Sequence, residues 1–379
     1  MPRVLGIDPG TVSIDLCGLD EGRVFLDESL PTAEALRDPA TLVDRLQAAG
    51  PFDLIAGPSG YGLPCVAANA LTELDLRLAF LAAEGESGGI GGLRGLVRAM
   101  ARAGLPVVLT PGVIHLPSVP AHRKVNRVDM GTADKVCAVA LAVREQAARR
   151  RCAITETAFI LLELGGAFTA AIAVEDGRII DGVGGSSGPI GLRGAGALDG
   201  EVAFLAGRVP KSMIFTGGVA TITGDADALS PAPPANMVRL KPGTTRHQLA
   251  RDAYVEAAIK AVALLRVSAP AAREVILSGR VARVPGLRDE VVRRIGDTLS
   301  AGTPSRRSLR RALPVEILAG FASSGAQAAQ GAALVADGLA GGSHADLVES
   351  LGIRDARGTV LDHLYVVSQE QAKRTLGIA

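Results

Sequence analysis

The feature that most constrains the fold is an acidic residue and a glycine turn at the end of an apolar run. Residues 4–7 (Val-Leu-Gly-Ile) lead directly into Asp-Pro-Gly-Thr at 8–11, and Ser13 follows. A buried strand that ends this way presents backbone N–H groups that can face a phosphate, and a carboxylate that can face a hydrated metal ion. Residues 12–19 are predicted to form a second strand, and neither GxxxxGK[ST] nor GxGxxG occurs in the chain. An ordinary tight hairpin capped by Asp8 fits this segment equally well.

The same pattern returns near the middle of the chain. Residues 159–164 form an apolar run that carries Glu163, and Gly-Gly-Ala-Phe-Thr follows at 165–169. In both copies two further strands come next, around an acidic turn, Asp-Glu-Gly at 20–22 and Glu-Asp-Gly at 175–177. Two like halves are therefore predicted, and two such turns that face each other can hold the phosphates of a nucleotide from both sides. A shared meander of three strands with no ligand is the alternative, but it leaves the Gly-Gly turn after the acid unexplained.

With these two turns, the chain is identified as a member of the superfamily of acetate and sugar kinases, heat-shock chaperones and actin. The resemblance implies an α/β fold of two ribonuclease-H-like (actin-like ATPase) domains, each a mixed five-stranded sheet with flanking helices, around a nucleotide cleft. It also implies a third motif, which contacts the adenosine. Residues 275–277 form a short apolar strand that ends in Ser278 and Gly279, and a helix is predicted over residues 287–295. Glycine at that point lets the backbone approach a base or ribose closely.

Composition sets limits on the partners. The 379 residues, 48% of them hydrophobic, suffice for two domains with filled cores. A net charge of +1 and an aromatic content of 3% without Trp give no reason to expect nucleic acid as a partner. No apolar stretch reaches the ~20 residues of a membrane-spanning helix, and the first strand starts too early for a cleavable leader. The four cysteines are isolated and lack metal-ligand spacing, so we expect them to be reduced. Together, these features predict a cytoplasmic protein that binds neither nucleic acid nor membranes.

The boundary between the two domains is predicted near residue 151. Residues 1–151 carry the first turn, and residues 152–379 carry the second turn and the adenosine motif. The three arginines at 149–151 are typical of a solvated helix end, where cations interact favourably with the helix dipole. Residues 224–242, rich in Ala, Pro, Asp and Ser, are predicted to form an exposed loop. In several relatives the last helices pack back on the first domain, and the tail after residue 343 can do the same.

A polar and cationic segment at residues 115–131 precedes a predicted helix. Its cationic or ionisable side chains include His122, Arg123, Lys124 and Arg127. Thr-Ala-Asp at 132–134 has the pattern of a helix start, so part of this polarity serves capping. A surface loop of a nearly neutral protein has no structural need for so many cations, whereas an anionic substrate or a transferring phosphoryl group does. The segment is therefore predicted to bind an anionic substrate.

A second loop indicates a narrower resemblance. Residues 184–199 are rich in glycine around Arg193, and their spacing resembles the loop of butyrate kinases that lies over the acyl-phosphate site. The Val-Pro-x-x-Arg pattern that ends at Arg123 also resembles the butyrate kinase region before the central helix. Together with the three nucleotide motifs, these segments cover most of the chain and resemble the family of predicted butyrate kinases. Two positions depart from the pattern, since carboxylate kinases usually have Asn at the position of Asp8 and Asp at the position of Glu163.

The resemblance implies phosphoryl transfer from ATP to a small carboxylate, which gives an acyl phosphate and ADP, or the reverse reaction. Mg²⁺ is expected to be held, largely through water, by Asp8 and Glu163. Arg123 and Arg193 are expected to neutralise charge on the transferring group. The expected nucleotide contacts are Asp8, Gly10, Thr11, Ser13, Gly165, Gly166 and Thr169 around the phosphates, and Ser278 and Gly279 around the adenosine. A homodimer is also expected, because relatives often dimerise through the second domain.

Two other functions remain open. A carboxylate acceptor is ionised at neutral pH, since its pKa is near ~4.5, and it needs no general base. A hydroxyl acceptor, as in sugar or pantothenate kinases, needs one, and Asp129 is then the catalytic candidate. With a carboxylate acceptor, Asp129 would only orient its neighbours. The second alternative is a nucleotide-dependent activator or regulatory ATPase without a small acceptor, although the scattered cysteines argue against the kind that carries an iron–sulfur cluster.

Overall fold

The computed structural model describes residues 1–82, 90–224, 245–300, 313–324 and 326–378. Its strands are β1 (Arg3–Pro9), β2 (Ser13–Asp20), β3 (Arg23–Pro31), β4 (Leu54–Ala56), β5 (Val66–Ala67), β6 (Val107–Leu109), β7 (Phe159–Leu164), β8 (Thr169–Glu175), β9 (Arg178–Val183), β10 (Val275–Ser278) and β11 (Val315–Ile317). Its α-helices are α1 (Thr32–Arg37), α2 (Pro39–Ala49), α3 (Glu73–Phe80), α4 (Ile90–Arg102), α5 (Ala121–Lys124), α6 (Ala133–Arg150), α7 (Gly200–Ala206), α8 (Val219–Thr223), α9 (Thr245–Ser268), α10 (Pro285–Ser300), α11 (Gln327–Leu339), α12 (Ala345–Ser350) and α13 (Gln369–Thr375). Apart from residue 224, the loop predicted over residues 224–242 lies outside the described residues.

The chain divides into two compact units. Unit 1 consists of Met1–Thr157, Asp176–Ile179 and Ala319–Ala379, and unit 2 consists of Ala158–Glu175 and Ile180–Leu318. These units are groups of mutually contacting residues. The domain boundary near residue 151 stays a prediction.

Unit 1 is built on a mixed sheet with the strand order β3-β2-β1-β4-β6-β5. Strands β1 and β2 are antiparallel, with Asp8 opposite Asp15, whereas β1, β4 and β6 run parallel. The second strand predicted over residues 12–19 is therefore confirmed. The short strand β5, of 2 residues, adds a sixth strand to the five that were predicted.

Helix α11 packs closely on the sheet of unit 1 because the facing residues are small. A Cβ atom on Gly6 of β1 would lie 2.2 Å from the carbonyl oxygen of Ala329 and 2.2 Å from the backbone nitrogen of Ala333. A Cβ atom on Gly331 would lie 1.8 Å from the carbonyl oxygen of Cys137 in α6. Glycine at these positions thus allows the backbones of β1, α11 and α6 to approach one another.

Unit 2 has a mixed sheet of five strands in the order β11-β10-β7-β8-β9. Helices α9 and α10 cover one face of it with a buried apolar cluster. Members of this cluster from the helices and the strands include Tyr254, Ile259, Leu265, Val291, Ile295, Leu162 and Leu277. Their burial fixes the ends of β7 and β10, where the second turn and the adenosine motif begin.

Six consecutive backbone N–H groups of unit 1, at residues 319–324, donate to three side chains. Glu145 accepts from residues 319 and 320 at 3.2 and 2.5 Å. Gln330 Oε1 accepts from residues 321 and 322 at 2.6 and 3.1 Å. Asp27 Oδ2 accepts from residues 323 and 324 at 2.8 Å each. Since each of these donors has a partner, the backbone before α11 is held in one conformation.

Among the helices of the described residues, we find none with the length and apolar character needed to cross a membrane.

Candidate functional site

The first glycine turn joins β1 to β2 in unit 1. The N–H of Gly10 donates to the carbonyl oxygen of Asp8 at 3.1 Å. A Cβ atom on Gly10 would lie 2.7 Å from the carbonyl oxygen of Ser13, so only glycine allows this turn to close so tightly. Thr11 is exposed, while the Ser13 hydroxyl donates to the carboxylate of Asp15 at 2.9 Å. The structure therefore places Asp8, Gly10, Thr11 and Ser13 around one turn.

The second glycine turn joins β7 to β8 in unit 2 and repeats the close backbone approach of the first. The N–H of Gly165 donates to the carbonyl oxygen of Phe168 at 3.0 Å. A Cβ atom on Gly165 would lie 2.6 Å from that same carbonyl, three residues further along, as in the first turn. Such a Cβ would also lie 3.4 Å from Oε1 of Glu163, so this carboxylate lies beside the turn. A Cβ atom on Gly166 would meet nothing within 4 Å, which leaves open space there.

Thr169, the last residue of this motif, lies in the core of unit 2. It is fully buried, and its hydroxyl neighbours the buried hydroxyl of Tyr254 on α9. Burial raises the pKa of Tyr254, and the Thr169 hydroxyl partly offsets that rise. Thr169 thus supports the turn from the core side, and its contact with a phosphate stays a prediction.

The loop that carries Arg193 packs directly on the second turn. The N–H groups of Arg193 and Gly194 donate to the carbonyl oxygen of Ala167 at 2.9 and 3.3 Å. A Cβ atom on Gly191 would lie 2.3 Å from that oxygen. Burial lowers the pKa of Arg193, but a guanidinium remains protonated in proteins. Two segments that the sequence identifies separately are therefore brought together, with the backbone of Arg193 beside the turn.

The adenosine motif lies at the same edge of the sheet as the second turn. Strand β10 runs parallel to β7, with Ser278 beside Glu163. Gly279 has a φ of +87°, and a Cβ on it would lie 2.5 Å from the carbonyl oxygen of Leu164. Ser278 is 1% exposed, and its hydroxyl has no hydrogen-bond partner among the described residues. The carboxyl ends of parallel strands are where α/β sheets bind ligands, so this placement agrees with a binding edge.

Unit 1 has a corresponding edge at the carboxyl ends of β1, β4 and β6. Ser59, which follows β4, accepts the N–H of Thr110, which follows β6, at 2.8 Å. The N–H of Ala133, in the first turn of α6, donates to the carbonyl oxygen of Gly60 at 3.0 Å. The loops after β4 and β6 and the start of α6 therefore meet at the edge where β1 delivers Asp8.

Asp134 is a candidate residue that sequence reasoning missed. The Thr132 hydroxyl and the Lys135 ammonium both donate to its carboxylate. Burial acts to raise the pKa of Asp134, but these partners outweigh it and the pKa lies below its ordinary value. Burial raises the pKa of the Cys137 thiol on α6, and the charges of Asp134 and then Asp8 raise it further. Two carboxylates therefore share one neighbourhood in unit 1.

Arg123 and Asp129 both lie in the segment that precedes α6. Arg123 is part of the one-turn helix α5 and is partly exposed. Asp129 is 7% exposed and accepts the N–H of Gly131 at 3.2 Å. Asp129 thus helps to form the turn that leads into α6, and its catalytic role stays a prediction.

Oxygen donors that suit Mg²⁺ are present in both units. Unit 1 offers Asp8 with Asp134, and unit 2 offers Glu163. No group of three or more His, Cys, Asp or Glu side chains suited to a metal ion occurs within the described ranges. Mg²⁺ usually keeps several waters and binds through one or two carboxylates together with substrate phosphates. The carboxylates of each unit therefore have the chemistry that a magnesium ion arriving with a nucleotide requires.

The two mixed sheets and the repeated turns define a protein with the fold of the acetate and sugar kinase, heat-shock chaperone and actin superfamily. The structure is similar to the acetate kinase of Entamoeba histolytica, with a TM-score of 0.57 and 10% identity over 83% of this chain and 95% of that one. It is similar to the Porphyromonas gingivalis acetate kinase, with a TM-score of 0.58 and 14% identity over 88% and 98% of the two chains. It is also similar to a propionate kinase of Francisella tularensis subsp. tularensis SCHU S4, with a TM-score of 0.59 and 13% identity over 87% and 99%. The fold class expected from the sequence is therefore confirmed, and it is the fold of the superfamily that the resemblance indicated.

The chain belongs to the family described as "Protein of unknown function (DUF1464)", whose profile matches residues 6–366. No curated protein matches the sequence.

Proposed function

We propose that the protein is an ATP-dependent phosphotransferase that transfers a phosphoryl group between ATP and a small carboxylate of the acetate or butyrate type. The observation that carries this proposal is the repetition of one turn in both units. In each unit, a strand carries one acidic residue near its end, and a glycine follows two residues later. A Cβ atom added to that glycine would meet the carbonyl oxygen three residues further along, at 2.7 Å for Gly10 and 2.6 Å for Gly165. Turns of this kind let the backbone approach a phosphate closely, with no side chain in the way.

The nucleotide contacts follow from these turns. Gly10 and Thr11 in unit 1, and Gly165 and Gly166 in unit 2, would contact the phosphates, with Ser13 and Thr169 supporting each turn. The exposed side of Gly166 supports this role, because a phosphate can approach its backbone unhindered. Ser278 and Gly279 would border the adenosine, where the buried Ser278 hydroxyl has no protein partner among the described residues.

We propose Arg193 and Arg123 as the cations that balance charge on the reacting phosphates. Arg193 is held against the second turn by the hydrogen bonds to Ala167. Arg123 lies in the cationic segment of unit 1. The carboxylates that we propose as contacts of a largely hydrated Mg²⁺ are Asp8 and Asp134 in unit 1 and Glu163 in unit 2. When bound, Mg²⁺ neutralises phosphate charge. Such preorganised charges act on the transferring group without needing to reorganise during the reaction.

A carboxylate acceptor is supported by two observations. The similar structures named above are those of acetate and propionate kinases. In addition, Asp129 already accepts a backbone hydrogen bond from Gly131, and a carboxylate acceptor needs no base from it. A hydroxyl acceptor is the second candidate, and Asp134 favours it, because a carboxylate that shares a neighbourhood with Asp8 could accept a proton from an attacking hydroxyl.

The test is calorimetric titration with ATP and Mg²⁺, followed by a turnover assay with short-chain fatty acids, sugars and pantothenate. We expect binding, and turnover that depends on a fatty acid. Asp8→Asn should weaken binding in the presence of Mg²⁺, whereas Asp44→Asn, an exposed position on α2, is the matched control. Absence of ATP binding would refute the proposal. Turnover with hydroxyl compounds alone would favour the second candidate, and turnover that rises only with a protein partner would favour an activator ATPase. The homodimer and the cytoplasmic location stay predictions.

A further inference from the structure

Residues 357–366, called here the C-terminal strap, lie along the segment that carries Arg123. The N–H of Arg357 donates to the carbonyl oxygen of His115, at the start of that segment, at 2.9 Å. The N–H of Asn126, near its end, donates to the carbonyl oxygen of His363 at 2.8 Å. All of these residues belong to unit 1. The strap therefore binds the segment on both sides of Arg123.

Asn126 binds the strap through its side chain as well as its backbone. Its Oδ1 accepts the N–H groups of Tyr365 and Val366 at 2.7 and 3.1 Å. Asn126 has a φ of +54°, a left-handed conformation that Asn adopts more readily than most residues. The side chains of Tyr365 and Val366 are 74% and 82% exposed. Hydrogen bonds to Asn126, and not burial of these side chains, therefore hold this end of the strap.

A second link joins Lys124 to Asp362 of the strap. Lys124 is only 8% exposed, and its ammonium donates to the carbonyl oxygen of Leu116 at 3.0 Å. Burial lowers the pKa of Lys124, and the nearby carboxylate of Asp362 partly offsets this effect. Thr359 fixes that carboxylate, because its N–H and its hydroxyl both donate to it at 2.7 Å. The strap thus supplies a negative charge near a largely buried ammonium.

Arg123 lies directly before Lys124 and three residues before Asn126. Its helix, α5, consists of 4 residues, and a helix this short is not stable by itself. The position of the Arg123 backbone therefore depends on the contacts that its neighbours make with the strap. We propose that the C-terminal strap positions Arg123 toward the transferring phosphoryl group, with Asn126 as a positioning residue. This inference rests on the proposed function.

The first test is a double-mutant cycle between Asn126→Gly and Arg123→Ala. Glycine adopts the φ of residue 126 without strain, so Asn126→Gly removes the two side-chain hydrogen bonds and keeps the backbone conformation. We expect kcat to fall about tenfold in the wild-type background and less than about twofold in the Arg123→Ala background, with KM for ATP unchanged. An equal fall in both backgrounds overturns the proposal. Asn69→Gly, which changes an exposed asparagine of unit 1, is the control.

The second test, amide hydrogen exchange of residues 121–127, does not depend on activity. Faster exchange in Asn126→Gly than in the wild type and in Asn69→Gly supports the strap, and unchanged exchange overturns it. If the wild type phosphorylates no acceptor, the proposed function fails. The exchange data then still decide whether the strap holds the Arg123 segment.

Discussion

A Cβ atom on Gly279 would lie 2.5 Å from the carbonyl oxygen of Leu164, because the backbones of β10 and β7 approach closely where both strands end. Gly279 also has a φ of +87°, a conformation that residues with a side chain rarely adopt. We therefore expect Gly279→Ala to lower the free energy of unfolding by about 2–3 kcal/mol, measured by chemical denaturation. The variant should also weaken ATP binding, measured by calorimetry. The new Cβ can avoid the Leu164 carbonyl only if the end of β10, which carries Ser278, moves away.

Gly286→Ala is the matched control for that variant. Gly286 is the second residue of α10, and a Cβ on it would meet nothing within 4 Å. Alanine there should leave the free energy of unfolding unchanged or raise it by up to ~1 kcal/mol. A Gly279→Ala variant as stable as Gly286→Ala would contradict the close approach of β7 and β10.

Ser278→Ala separates a role in binding from a role in folding. The Ser278 hydroxyl is buried and has no partner among the described residues, so its removal should cost no stability and should raise the free energy of unfolding by up to ~1 kcal/mol. If the hydroxyl bonds the ribose, the Kd for ATP should rise about three- to tenfold. Ser29→Ala, at an exposed position of β3, is the control for both measurements. A clear loss of stability in Ser278→Ala would reveal a partner within the protein.

The turns of the nucleotide motifs could be predicted from the sequence because their determinants are local. An apolar run, an acid and a glycine lie next to each other in the chain, and the tight turns at Gly10 and Gly165 follow from them. The same holds for Gly279, where the strand ends in a residue without a side chain. In all three cases the geometry depends on a few consecutive residues, and the sequence shows them directly.

The remaining site features depend on contacts between distant segments. Asp134 was interpreted as part of a helix start, and its proximity to Asp8 follows from the way α6 begins against the loops after β4 and β6. Thr169 was expected to contact phosphate, but its burial beside Tyr254 depends on the packing of α9 on the sheet. The sequence does not show on which face of β8 the Thr169 hydroxyl lies. The sequence indicated Asp134 as a candidate site residue only through its place at a helix start directly after a cation-rich segment.

Asp134→Asn distinguishes the two acceptor classes. If Asp134 shares a hydrated Mg²⁺ with Asp8, the variant should need more Mg²⁺ for half-maximal activity and recover most of its kcat at saturating Mg²⁺. If Asp134 is the base for a hydroxyl acceptor, kcat should remain about 10²-fold lower at any Mg²⁺ concentration. With a carboxylate acceptor we expect the first result, measured in a coupled ADP-release assay.

Asp129→Asn is the comparison for that experiment. Asp129 accepts the N–H of Gly131 in the turn before α6, and with a carboxylate acceptor it performs no proton transfer. We therefore expect turnover with a fatty acid within about threefold of the wild type. A loss of kcat as large as that expected for a missing base would place the proton acceptor at Asp129 and would favour a hydroxyl substrate.

His115 should make the stability of unit 1 depend on pH. It is 2% exposed, and its Nδ1 lies 3.3 Å from the carbonyl oxygen of Gly112. Burial lowers the pKa of His115 to about 4 from 6.5; the charge of Lys124 also lowers it, while the Gly112 carbonyl and the Asp362 carboxylate act in the opposite direction. Between these two values the unfolded chain binds a proton that the folded chain does not. The contribution of His115 is therefore fully present above about pH 6.5 and is lost as the pH falls toward 4, by about 3 kcal/mol in total.

Replacement of His115 by a residue that does not titrate should remove this dependence. His115→Asn places an amide nitrogen near the position of Nδ1, so it can keep the hydrogen bond to Gly112 while it loses the ionisable ring. We expect the free energy of unfolding of this variant, measured by urea denaturation between pH 4 and 6.5, to fall less steeply with decreasing pH than that of the wild type. His122→Asn, at an exposed position, is the matched control. Equal slopes for His115→Asn and the wild type would mean that the folded protein protonates His115 as readily as the unfolded chain does, which is incompatible with its burial.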